Sequence, residues 1–96
     1  MAADMKLQRA HLAELLETDE LTSGMDVRAH GDHLIVARIE HDGERSDRVR
    51  FSRLAGNAWG LSVKRHTGRW ERTPFSGSMS ELHDVVMSFM QHLVAP

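Results

Sequence analysis

Four turn signals divide the middle of the chain at regular intervals: Gly31-Asp32, Asp42-Gly43, Gly56-Asn57 and Thr67-Gly68. The segments between them are rich in Val, Ile, Leu, Phe and Trp. Short β-type runs punctuated this often can hardly fold as anything but consecutive antiparallel hairpins, so Met25–Phe75 reads as a five-stranded meander. Its strands are expected over about 25–30, 33–41, 44–54, 59–66 and 70–75.

The first two hairpins can be paired residue by residue. A two-residue Gly31-Asp32 turn sets His30 against His33, Ala29 against Leu34 and Val27 against Val36. A two-residue Asp42-Gly43 turn then sets Val36 against Val49 and Leu34 against Phe51, with Arg38 facing Asp47 and Glu40 facing Arg45 at the far end. Sliding this register by one residue would turn Phe51 to the wrong face. For the third turn a three-residue loop is preferred over Gly56-Asn57 alone, pairing Phe51 with Val63 and Arg53 with Leu61. For the fourth, a Thr67-Gly68-Arg69 loop pairs Leu61 with Phe75, Val63 with Thr73 and Arg65 with Glu71, and puts Trp70 on the other face beside His66.

Helices flank the strands. Asp4–Thr18 gathers Met5, Leu12, Leu15 and Leu16 on one side without Gly or Pro, with Asp4 as N-cap. The acidic run Glu17–Glu20 suits a helix C-terminus badly, so the helix should end there. Ser78-Met79-Ser80-Glu81 has the form of a capping box. The helix it opens, 79–94, carries Met79, Leu82, Val85, Val86, Phe89, Met90 and Leu93 on one face. Phe51, Phe75 and Phe89 are assigned to the core, and Trp59 to core or edge. The expected fold is α+β, a two-layer α-β-β-β-β-β-α sandwich with both helices on one face of the sheet. All 96 residues form a single domain, 1–96.

These alternations leave the second sheet face to Arg28, His30, His33, Ile35, Ala37, Ile39, Arg48, Arg50, Ser52, Ser62, Lys64, His66, Trp70 and Arg72. The net charge of −2 conceals a segregation. Residues 48–72 carry seven Lys and Arg against Glu71 alone, whereas residues 1–26 balance at −4. The candidate binding face is therefore Arg28, Ile35, Ile39, Arg48, Arg50, Lys64, His66, Trp70 and Arg72. It suits an acidic protein surface first and single-stranded nucleic acid second, through phosphate attraction and stacking on Trp70. A homodimer through Ile35, Ile39 and Trp70 is the third reading. Against all three stands the ordinary role of Arg and Lys on a solvated strand face.

Seven histidines are many for this length. His30 and His33, facing each other across the first turn, are the only weak metal candidates, and a site would need a further ligand, for which Asp26 stands two positions away on the same face and His41 farther off. His11, His83 and His92 fall on helix flanks. No nucleophile elbow, phosphate-cradling glycine loop or metal-hydrolase helix occurs, so the chain reads as non-enzymatic with no cofactor. It has no cysteine, so disulfides and thiolate chemistry are excluded. With no signal-peptide pattern and no apolar run long enough for a membrane span, a soluble cytoplasmic chain is expected. The helix–strand–helix order resembles that of double-stranded-RNA-binding domains. The last helix opens Met79-Ser80-Glu81-Leu82-His83-Asp84, however, an acidic start that would repel phosphates, and the match is rejected.

Overall fold

The computed structural model describes residues 2–96. A helix, α1 (Ala2–Glu17), leads into five strands: β1 (Asp26–His30), β2 (His33–Ile39), β3 (Arg45–Arg53), β4 (Trp59–Lys64) and β5 (Trp70–Gly77). Two helices close the chain, α2 (Met79–Phe89) and α3 (Gln91–Val94). The strands form one antiparallel sheet in the order β1-β2-β3-β4-β5, the expected meander. Leu12 and Leu16 of α1 and Leu82 and Val86 of α2 pack with Val27, Leu34, Val36, Val49, Phe51 and Leu61 of the sheet. Both long helices thus cover the same face. Among the described residues, no helix is long and apolar enough to cross a membrane.

The first hairpin pairs as expected, His30 with His33 and Val27 with Val36. So do Leu34 with Phe51 and Val36 with Val49 in the second. Its turn is one residue longer than expected. Glu40 N–H donates to Glu44 O and Gly43 N–H to Glu40 O, enclosing a His41-Asp42-Gly43 loop with Gly43 at φ +88°. This is the three-residue loop that ends in a left-handed glycine. A β-bulge at Arg48 absorbs the extra residue, so Ala37 pairs with Asp47, Arg38 with Ser46 and Ile39 with Arg45. The expected Arg38–Asp47 and Glu40–Arg45 pairs do not form.

The third hairpin shifts by two residues throughout, and the fourth does so next to its turn, regaining the expected register at Gly60↔Ser76 and Trp59↔Gly77. Phe51 pairs with Leu61 and Val49 with Val63, because the three-residue loop is Ala55-Gly56-Asn57, one position earlier than expected and enclosed by Leu54 N–H donating to Ala58 O. The fourth loop is His66-Thr67-Gly68, again ending in a left-handed glycine, so that Lys64 pairs with Trp70 and Val63 with Glu71. Side-chain contact between Arg65 and Glu71 survives diagonally at 2.7 Å. Between Gly60↔Ser76 and Ser62↔Arg72, the three residues Thr73-Pro74-Phe75 oppose Leu61 alone. Pro74 has no N–H to give the ladder, and the bulge accommodates it.

The helices differ from expectation in four places. α1 starts at Ala2, so Asp4 lies in its first turn and pairs with Arg53 instead of capping. The expected 79–94 helix breaks at Met90 (φ −131°, ψ 27°). The break brings Val94 into the core, while Arg38 and Arg48 donate to the carbonyls of Val94, Leu93 and Ala95. Phe89 is 71% exposed. Its ring stacks on that of half-buried Phe75 in β5, with centroids 6.4 Å apart. His83 is buried, its Nε2 3.3 Å from Thr22 Oγ1. That hydroxyl gives its proton to Leu16 O, so His83 Nε2 is the donor. The capping box forms as expected, with Ser78 Oγ accepting from Glu81 N–H and Glu81 Oε1 from Ser78 N–H.

Candidate binding surface

The sheet face away from the helices is built from cross-strand rows. One row runs Arg28, Ile35, Arg50, Ser62, Arg72, and the next His30, His33, Ser52, Gly60, Ser76. The bulge at Arg48 changes what stands beside them. It rotates Arg45 and Asp47 onto this face and sends Arg48 to the helix side, where it bonds Leu93 O, Ala95 O, Ser46 Oγ and Glu40. Arg48 therefore leaves the candidate surface. His66 leaves it too, exposed in the fourth turn.

The surface then divides into two halves of different charge. On the β1–β2 side, Arg45 pairs with Asp26 and with Asp47 at 3.1 Å, and Arg28 approaches Asp47 at 3.9 Å. Arg45 also donates to Ile35 O. Ile35 is consequently only 6% exposed and Ala37 fully covered. Ile39, at the strand end, remains exposed. This half is neutralised and roofed by its own side chains.

The β3–β5 half is different. The Arg50 guanidinium sits 5.0 Å and Lys64 Nζ 4.8 Å from the centre of the Trp70 ring. Ser62, which lies between Arg50 and Arg72 in the row, is 2% exposed. Among the described residues, Arg50, Lys64 and Arg72 have no carboxylate within ion-pair distance. Arg50 Nε is buried without a hydrogen-bond partner. Burial, and then the Arg72 charge, lower the Arg50 pKa. The same positive field reaches His33, whose Nδ1 lies 2.8 Å from Ser52 Oγ. Burial lowers its pKa first, and Arg50 next.

Of the nine residues expected on the binding face, Arg50, Lys64, Trp70 and Arg72 come together. Arg28 is paired, Ile35 is covered, Ile39 stands apart, and Arg48 and His66 lie elsewhere. Arg45 and Asp47 were missed, although the glycine in the third position of the His41-Asp42-Gly43 loop was a usable sign of the longer turn. Trp59, left between core and edge, is buried beneath the Arg53 guanidinium at 5.5 Å. His30 and His33 face each other as expected, but Asp26 is taken by Arg45, and no three metal-capable side chains converge among the described residues. Comparison of the chain with protein-family models, curated proteins and solved structures finds no match.

Proposed function

We propose that the protein is a small non-enzymatic binding module that engages an acidic protein surface through Arg50, Lys64, Arg72 and Trp70. The observation that carries this reading is the charge imbalance about Trp70. Among the described residues, three cations share one patch without a paired counter-charge, whereas their neighbours Arg28 and Arg45 are matched by Asp26 and Asp47. Holding like charges together on a partly desolvated surface is unfavourable, and incoming carboxylates relieve it. Trp70 adds an apolar anchor of the kind enriched at interfaces.

Single-stranded nucleic acid is the second reading and is less well supported. Stacking of bases needs bare aromatic faces, and here Arg50 and Lys64 already lie over the lone ring. A sheet-mediated homodimer loses one of its three apolar residues, because Ile35 is roofed by the chain's own arginines. A cysteine-free chain acting on a protein partner fits the cytoplasm.

The test uses poly-glutamate and a single-stranded oligothymidine as probes. Arg50 Nε is buried, so its reversal would disturb the sheet, and the discriminating variant is Lys64→Glu with Arg72→Glu. Poly-glutamate should bind the native chain, weaken as salt shortens the screening length towards about 8 Å, and fail with the double variant at unchanged melting temperature. Salt-independent binding, or full binding by the double variant, would sink the proposal. Tighter binding of oligothymidine with strong quenching of Trp70 emission would replace it with the nucleic-acid reading.

A further inference from the structure

A cavity of about 500 Å³ opens on the helix side of the sheet, in the wedge between α1, the start of α2 and the β3–β4 turn. α1 packs over β1, while α2 packs over β4 and β5 and touches α1. Small side chains such as Ser80 face the wedge and leave it unfilled. Its floor is Leu15, Trp59 and Met79. Trp59 is 3% exposed, so the cavity meets a ring otherwise enclosed by protein. On the rim stand His11 and Glu14, about one helical turn apart on α1. Glu14 is the one formal charge on the wall, and among the described residues it has no ion-pair partner.

We propose that this cavity binds a small organic cation, an amine carried on an aromatic or branched aliphatic body. The body packs on Leu15, Trp59 and Met79, and the ammonium meets Glu14, with a His11 ring nitrogen beside it. The volume lies within the range of roughly 300–1,000 Å³ usual for small-ligand pockets, and an apolar floor with a few polar groups at its mouth is their usual lining. Charge selects the sign of the ligand. A carboxylate would meet Glu14 as a like charge. The N-terminus of α2, which would otherwise attract an anion, is already satisfied by its own capping box. The basic cluster is on the opposite face of the sheet, and residues 1–26, which include this rim, balance at −4.

The proposal is tested by titrating the native chain with phenethylamine and with hydrocinnamate, which joins a phenylethyl body to a carboxylate. The Trp59 indole N–H and the Leu15 and Met79 methyl signals are followed by NMR. Phenethylamine should shift these signals saturably, with hydrocinnamate at least about tenfold weaker, a difference of roughly 1.4 kcal/mol. Glu14→Gln should remove the preference between the two. Ser80→Phe, which fills the cavity, should abolish both responses, and the native-chain shifts keep the test decisive if that variant folds poorly. No saturable response to phenethylamine, equal response to hydrocinnamate, or shifts centred away from Leu15 and Met79 would overturn the proposal.

Discussion

Thr73 shows how a single side chain makes an irregularity tolerable. Pro74 interrupts the β5 ladder, and Thr73 Oγ1 repairs it by donating to Leu61 O at 2.8 Å and accepting from Phe75 N–H at 3.2 Å. Both backbone groups are thereby satisfied at the bulge. Phe51 acts through volume instead. It is 1% exposed between Leu34 and Leu61, so Phe51→Ala should cost about 3–5 kcal/mol in a urea unfolding experiment. A loss under about 1 kcal/mol would contradict its place in the core. His33 gives the fold a pH dependence. Its folded pKa lies below the unfolded value of about 6.5, so the unfolded chain binds more protons between the two, and stability falls as pH drops through that interval. Asp4, lowered by Arg53, and Glu17, lowered by the Gly24 N–H and then by Ser23, also lose stabilisation on acidification, but only below the carboxylate range of about 4. Urea midpoints should therefore decline in two separate steps. His33→Gln should remove the upper step alone, and an unchanged upper step would assign it to another group.

The end of α1 and the C-terminal turn of the chain are both held by groups outside those helices. Glu17, an unfavourable residue for a helix end on dipole grounds, is held there because its carboxylate accepts from Ser23 Oγ and Gly24 N–H and so organises the turn into β1. The break between α2 and α3 is held from the sheet. Arg38 joins Leu21 O to Val94 O, and Arg48 joins Leu93 O to Ala95 O, so two guanidiniums from neighbouring strands fasten the C-terminal carbonyls. Cations are favoured at that end of a helix. Arg48→Ala should cost about 1–3 kcal/mol, the usual range for hydrogen bonds made by a charged group. It should also speed amide exchange at Ala95, whose N–H donates to Gln91 O, while β2 and β3 keep their protection. Arg48→Lys should restore only part of this, since Nη1 donates to both carbonyls while Nε and Nη2 hold Ser46 Oγ and Glu40, and a lysine has one nitrogen for all four. Unchanged exchange at Ala95 would leave Val94 burial as what holds α3.

At the scale of the whole molecule, five strands, their meander order, two flanking helices on one face and the capping box were legible in the sequence. These features depend on local periodicity and turn chemistry. The faces of β4 and β5 came out correctly even though their registers were misread, because an error of two residues leaves every side chain on its own side. Trp70, Lys64 and Arg72 were therefore placed well, and so was Arg50, whose register was right. The one-residue error at the His41-Asp42-Gly43 loop was different. It exchanged Arg48 for Arg45 and Asp47 on the candidate surface, and with them a uniformly basic face for one that is half neutralised. Only the tertiary structure decided this, along with the Met90 break, the exposure of Phe89 and the burial of His83. The reason lies in the range of the interactions involved. Arg48 answers to Leu93, Arg38 to Val94 and His83 to Thr22, partners 45, 56 and 61 residues away along the chain. A periodic pattern says which way a side chain points, but which distant group meets it is settled only when the layers pack.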